Sequence, residues 1–357
     1  MAKNRDLSNA KNAKKDEFYT QLEDINAEMV HYEDQFRGKT IFMNCDDPTW
    51  SNFWRYFHME FERLGLKKII ATHFEYGEVA TYKMEYEGGD DENFEAGTKT
   101  PLTQNGDFRS PECIELLKSS DIVATNPPFS LFREYIALLM EYDKKFIIIG
   151  NVNALTYKEV FPLIKDNKVW FGASIHSGDR KFYVPDDYPL NAAGCGTDSN
   201  GRRFIRVKGV RWYTNMDYTV RHKDLETTYL YSKKDILYPE LYPKYDNYDA
   251  INVDKTNEIP MDYEGIMGVP ITFFDVYNPD QFEIIGVSSK DNCGDVRRLH
   301  DNSYYNGYTR GKVVTRVESN MPLILGNVAG GTKCTKEGHP DIYQLYWRLF
   351  IKKKEGK

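Results

Sequence analysis

With 357 residues, the chain can bury the core of one large domain or two ordinary ones. A hydrophobic fraction of 41%, the lack of any apolar run of membrane-span length and a polar start from Met1 to Lys15 lead us to expect no spanning helix, no apolar leader and a cytoplasmic protein. The net charge of −7 argues against a uniformly basic nucleic-acid coat, and five scattered cysteines offer neither a metal-ligand spacing nor a disulfide framework.

Residues 1–15 are Lys/Asn-rich and read as a flexible basic arm. Asp16-Glu17-Phe18-Tyr19-Thr20-Gln21 leads into a helix expected over Leu22 to Phe36. Thr40 to Cys45 has the apolar run of a buried strand and ends at Asp46-Asp47-Pro48. A helix follows to Leu64, where Phe53, Phe57, Phe61 and Leu64 recur on one face and Gly65 supplies the stop. Lys67 to Phe74 reads as the second strand, closing at Glu75. The stretch from Gly77 to Gly106 is weakly patterned and reads as a hairpin or loop. Gly106-Asp107-Phe108 then precedes a helix beginning near Pro111.

The next stretch, Asp121 to Ser130, organises the chain. Ile122-Val123-Ala124-Thr125 reads as a buried strand and stops at Asn126-Pro127-Pro128-Phe129. Neither proline has an N–H, and each biases its predecessor away from the α conformation. The result is a stiff turn that presents the Asn126 side chain and the Pro127 carbonyl as fixed acceptors, with a helix expected over Leu131 to Tyr142. This suits methylation of an exocyclic base amine, whose lone pair is conjugated into the ring. Two acceptors on one NH2 group localise that lone pair and aim it at an electrophilic methyl. Phe129 supplies a face for the base to stack on. The bland alternative is a proline-terminated strand entering a helix, with Phe129 in the core.

Lys145 to Gly150 reads as another buried strand, and a helix is expected within Val152 to Ile164. Val169 to Ala173 and Lys181 to Val184 look like a hairpin across Ser177-Gly178-Asp179. This order of elements predicts an α/β fold with a doubly wound, mixed but mostly parallel sheet. Beyond about Pro185 helical periodicity fades and short β-like runs appear, among them Arg211 to Thr214, Ile271 to Val276 and Phe282 to Val287. The expected division is a catalytic domain over 16–200 and a second, irregular α/β region over 201–357. Thr197 to Lys223 carries seven basic residues against two acidic ones, a basic face on an acidic body.

An adenosyl donor needs polar groups for its amino-acid end and ribose and a clasp for its adenine. Four strand ends offer them: Asn44 to Pro48, Glu75, Asp107-Phe108 and Asn126, all expected on one sheet edge. Aspartates at such turns are also common helix caps. The usual Gly-x-Gly turn after the first strand is absent.

These motifs together resemble the EcoRI-type adenine-specific DNA methyltransferases. The likeness rests on Asp16 to Gln21, Asn44 to Pro48 with Ser51-Asn52-Phe53, Gly106 to Ser110 and Thr125 to Glu134. It continues through Lys145 to Asn151, Tyr245 to Ile251, Gly265 to Thr272 and Asn278 to Ile284. The resemblance implies a seven-stranded class I methyltransferase sheet and a C-terminal target-recognition region. It implies S-adenosyl-L-methionine as donor, no metal, and adenine N6 of a flipped-out base in double-stranded DNA as acceptor. Tyr19, Thr20, Asn44, Asp46, Asp47, Pro48, Glu75, Asp107, Phe108 and Asn126 would bind the donor, and Asn126, Pro127, Pro128 and Phe129 would carry catalysis. Trp170, Phe171 and Phe182 are candidates for the far side of the flipped base. Arg202, Arg203, Arg206, Lys208 and Arg211 are candidates for phosphates. A monomer is the default expectation, since each copy carries both regions. Asn-Pro-Pro-Phe alone also occurs in enzymes that methylate RNA bases or protein glutamines, and a non-catalytic DNA-binding relative is the third alternative.

Overall fold

A computed structural model describes residues 19–75, 77, 80–184, 188, 190, 194–289, 299, 306–309, 312–316, 322–325, 332–335 and 342–356. The expected basic arm and Asp16 to Phe18 lie outside these. The chain divides into two compact units, 1–154 with 169–219, and 155–168 with 220–357.

The first unit is built on helices α1 (Leu22–Met29), α2 (Asn52–Met59), α3 (Pro111–Ser119) and α4 (Phe132–Glu141). Its strands are β1 (Thr40–Met43), β2 (Lys68–Thr72), β3 (Tyr82–Tyr86), β4 (Thr98–Pro101), β5 (Ile122–Thr125), β6 (Lys145–Asn151), β7 (Trp170–Phe171), β8 (Asp179–Tyr183), β9 (Gly196–Thr197), β10 (Arg203–Lys208) and β11 (Val210–Thr214). The helix starts follow local chemistry. The Ser51 hydroxyl accepts from the Phe53 and Trp54 N–H groups at the head of α2, and Ser110 caps α3 with Pro111 in the first turn. The predicted helix over Leu22 to Phe36 breaks after Met29, with a separate turn over Glu33–Phe36.

The main sheet has the order β4-β3-β2-β1-β5-β6-β11-β7. It has eight strands among the described residues, not seven. It is also not mostly parallel: β2, β1, β5 and β6 form a parallel centre, and antiparallel pairs flank it on both sides. The extra antiparallel strands come from the weakly patterned segment after β2, which pairs as β3 and β4. Every residue of β1 and β5 is buried. Side chains such as Phe42 and Val123 each contribute about 2 kcal/mol by leaving water.

The expected hairpin between 169–173 and 181–184 does not form. Trp170 and Phe171 pair with β11, whereas β8 pairs with β10 in a separate three-stranded sheet. The cause is a distant one. The buried Glu28 carboxylate on α1 accepts from the Ala173 and Ser174 N–H groups at 2.9 and 2.8 Å and draws the chain off the sheet. The run Arg211 to Thr214, read as part of the second region, is instead the fully buried β11 of the first unit's sheet.

The order of strands reverses between β1 and β5. The chain leaves β1 for β2 on one side and returns through α3 to β5 on the other. Ligands of open α/β sheets bind at such a switch point, at the carboxyl ends of the strands. The segments after β1 and β5, starting at Asn44 and Asn126, lie on either side of it.

In the second unit, β12 (Ile251–Asn252), β13 (Met267–Pro270) and β14 (Phe282–Val287) precede five short strands. Those are β15 (Asn306–Thr309), β16 (Lys312–Arg316), β17 (Leu323–Leu325), β18 (Thr332–Thr335) and β19 (Ile342–Gln344), paired as β16-β15-β18-β19-β17. The closing strand β20 (Arg348–Lys353) inserts between β13 and β14. Ile271–Val276, predicted as a strand, is a 3-10 helix, because Phe273 and Phe274 are buried side by side instead of alternating.

Candidate active site

A cleft open to solvent lies at the switch point and is lined by Tyr19, Cys45, Asp46, Asp47, His73, Phe74 and Asn126. Four of the residues singled out in the sequence therefore share one cavity. Tyr19 reaches it because its backbone bridges to Tyr183 on β8, and the Asn52 side chain holds the Thr20 carbonyl at 2.6 Å.

Beneath the cleft, Asn44 is almost fully buried, and its side-chain oxygen accepts from the Tyr135 hydroxyl on α4. The Asn44 amide nitrogen has no hydrogen-bond partner among the described residues, nor do the Thr20 hydroxyl or the Gln21 amide nitrogen. Thr20 and Asn44 are adjacent in sequence to cleft-lining Tyr19 and Cys45, and Gln21 lies one residue beyond Thr20. Buried polar groups are seldom left so, and an amino-acid carboxylate would satisfy them. The residues present thus fit the amino-acid end of an adenosyl donor.

Asp46 is buried, and its carboxylate is surrounded by protein donors. One oxygen accepts from Ser51 Oγ at 2.8 Å, and the other from the Thr125 hydroxyl and the Asn126 N–H. Burial pushes its acid up to about 6, against the downward pull of those three bonds. Asp47 is more exposed and accepts from the Thr49 N–H and hydroxyl at 2.9 and 2.7 Å, while Pro48 beside it is buried. Asp47 Oδ2 also lies 3.6 Å from His73 Nε2. The His73 ring stacks on Tyr82 at 5.1 Å between centroids and 8° between planes.

On the other side of the switch point, Pro127 is buried, while Pro128 and Phe129 are partly exposed. Phe129 opens a 3-10 turn that passes into α4. Of the three aromatics considered for the far side of a base, Phe182 lies edge-on to Phe129 at 6.5 Å, but it is itself buried, as is Trp170. Phe171 is corrected: it is buried in the sheet, packed edge-on against Tyr213.

Glu75, Asp107 and Phe108 do not line the cleft. Glu75 is exposed past the end of β2. Phe108 is buried edge-on against Tyr135, with the Arg109 guanidinium over its ring, so it offers no open face to an adenine. Burial raises the Asp107 acid, but the bonds from Arg109 together hold it below the ordinary carboxylate value. The loop carrying Asp107 nevertheless docks on the same sheet edge, since the Glu75 N–H donates to the Asn105 carbonyl at 2.9 Å.

Among the basic residues, Arg206 and Lys208 are exposed on β10, and Arg202 is exposed in a turn anchored on Asp198. Arg203 is half-buried and donates to the Tyr188 carbonyl. Arg211 is corrected: it is 3% exposed, and its guanidinium donates to the Val210 and His176 carbonyls, so it lies inside the fold and not on a phosphate-tracking face.

Two cleft residues, His73 and Phe74, escaped the sequence reading, and Cys45 stood within the Asn44 to Pro48 stretch without a role of its own. Their signal was position. His73 and Phe74 stand directly after the apolar run of β2, as Asn44 stands after β1.

A family model described as the adenine-specific methyltransferase EcoRI matches residues 6–354. The chain is 50% identical over 305 residues to the Type II methyltransferase M.EcoRI of Escherichia coli, covering 81% of this chain and 92% of that protein. It is 41% identical over 281 residues to the Type II methyltransferase M.MgeORF184P of Mycoplasma genitalium, covering 78% and 85%. It is 40% identical over 285 residues to the Type II methyltransferase M.MpnI of Mycoplasma pneumoniae, covering 78% and 84%. No solved structure matches.

Proposed function

The chain belongs to the family of EcoRI-type adenine-specific methyltransferases, and from that premise we propose that the cleft and the Asn126 turn form a methyl-transfer site for adenine N6. It is a site-specific DNA methyltransferase acting on adenine. The observation that carries the site assignment is the convergence of Tyr19, Asp46, Asp47 and Asn126 on one cleft at the switch point of the sheet.

In this reading, Tyr19, Thr20 and Asn44 hold the amino-acid end of S-adenosyl-L-methionine, and Asp47, His73 and Phe74 line the remainder. That donor supplies an electrophilic methyl on a sulfonium sulfur. The protein's task is to present the acceptor. The Asn126 side-chain oxygen and the Pro127 carbonyl accept the two N6 hydrogens, which localises the nitrogen lone pair toward the methyl. Phe129 stacks on the base, and Phe182 stands edge-on behind it. After transfer the amine proton is acidic, and the Pro127 carbonyl holds it until it passes to water. No side chain of tuned basicity is required.

The adenine must leave the duplex to reach this turn, at a cost of roughly a few kcal/mol. The exposed Arg206 and Lys208 are suited to the phosphates beside it. The second unit is assigned to target recognition, giving a monomer that carries both functions. No helix among the described residues is long and apolar enough to cross a membrane, and no metal-ligating cluster is found among them. We place the protein in the cytoplasm with its DNA.

The test is nucleoside mass analysis of unmethylated duplex DNA after incubation with the protein and S-adenosylmethionine. N6-methyladenine is the expected product. Methylation confined to RNA or to protein glutamine, or no transfer despite donor binding, would overturn the assignment.

A further inference from the structure

The sequence Asn126-Pro127-Pro128 contains only one backbone N–H, because neither proline has one. The main chain of the turn can therefore be held through a single donor. That donor, the Asn126 N–H, goes to Asp46 Oδ2 at 3.3 Å. The same oxygen takes the hydroxyl of Thr125, and the second oxygen takes Ser51 Oγ at 2.8 Å. Ser51 in turn caps α2. One buried carboxylate thus ties the end of β1, the head of α2 and the end of β5 together across the switch point.

An aspartate serving the donor directly would keep an oxygen directed at it. Both Asp46 oxygens instead face protein donors, in contrast to the Asn44 amide nitrogen and Thr20 hydroxyl nearby, which have no partner among the described residues. We propose that Asp46 is a positioning residue for methyl transfer: it sets the height and rotation of Asn126 above the sheet and does not clasp the donor. This rests on the function proposed above.

Displacing a reacting group by about 1 Å can cost on the order of 100-fold in rate. Asp46→Asn keeps the size of the side chain but replaces one acceptor oxygen by a donor. In the full-length protein it is expected to lower kcat about 100-fold while changing donor affinity less than about threefold. Thr125→Val removes one of the three donors and is expected to lower kcat about tenfold, with Thr125→Ser restoring it. The pH profile separates positioning from packing. Ionised Asp46 is the form with all its acceptor sites, so wild-type kcat falls as the pH drops through about 6. The Asn variant lacks that limb. Asp47, Cys45 and His73 also face the cleft, and Tyr135 lies beneath it, so the limb is assigned by comparing the two proteins.

Wild-type kcat with donor affinity weakened tenfold or more in Asp46→Asn would overturn the proposal. If that variant does not fold, equal kcat for Thr125→Val and Thr125→Ser would overturn it. Absence of N6-methyladenine from the wild-type protein would instead overturn the proposed function on which it rests.

Discussion

Tyr19 and Tyr183 exchange both of their backbone hydrogen bonds, the Tyr19 N–H reaching the Tyr183 carbonyl at 2.9 Å and the return bond measuring 3.2 Å. This two-residue bridge brings the start of the described chain to β8. It sets the Tyr19 side chain in the cleft and leaves the Thr20 hydroxyl beside it without a partner among the described residues. An element distant in sequence from β5 and β8 thereby contributes a wall of the cleft.

Because the bridge uses only main-chain atoms, Tyr19→Ala leaves it in place and removes only the ring. Donor affinity is expected to fall about tenfold, equivalent to about 1.4 kcal/mol, with the folding transition unchanged. Isothermal titration with S-adenosylmethionine beside a denaturant melt checks both halves of the statement.

Phe129→Ala should act on the other substrate. Stacking of a base on an aromatic ring is worth about 1–3 kcal/mol, so kcat/KM for DNA is expected to drop roughly 5- to 150-fold while donor binding is retained. Equal losses in donor and DNA terms would place Phe129 in the cofactor site instead.

Gly106 has φ +77°, and a Cβ built on it would lie 2.1 Å from the His73 carbonyl oxygen. It is the point where the loop carrying Asp107 passes directly over the end of β2. Gly106→Ala forces that backbone apart in addition to the cost of a left-handed alanine, and a loss of about 2 kcal/mol or more is expected. A shift in the denaturant midpoint at constant slope is the measurement.

How much of this was legible in the sequence follows from the range of the forces involved. β1, β2, β5 and β6 were readable because each is a continuous apolar run, and the groups after them were readable because a strand end on one edge is a matter of connectivity. β7 and β8 were misread as a hairpin because Glu28, more than 140 residues away, captures the N–H groups at 173 and 174. The charge of Arg211 suggested a surface, but β11 buries all five of its residues, and carbonyls at 176 and 210 receive the guanidinium. Phe108 looked like an adenine clasp since nothing local distinguishes an aromatic facing a ligand from one facing Tyr135.

Asp46 also gives a stability signature. Its folded acid is raised from 3.8 to about 6, so the folded state holds the proton more tightly than the unfolded chain does. The associated stabilisation is complete below the unfolded value and is lost as the pH rises through about 6. Measured against Asp46→Asn, which cannot titrate there, the wild-type unfolding free energy is expected to decline by on the order of 2–3 kcal/mol between about pH 4 and 7. A constant difference across that range would mean that Asp46 is not buried as an acid.

The most direct measurement is the single-turnover rate of methyl transfer to unmethylated duplex DNA for wild type and Asn126→Ala, with donor and DNA affinities determined on the same preparations. The alanine variant loses the acceptor proposed to orient N6 and keeps the backbone N–H that Asp46 holds. Removing one preorganised group of this kind costs about 100- to 1000-fold, so the rate is expected to fall by at least that much while both affinities stay within a few-fold of wild type. A wild-type rate of N6-methyladenine formation by Asn126→Ala would contradict the account.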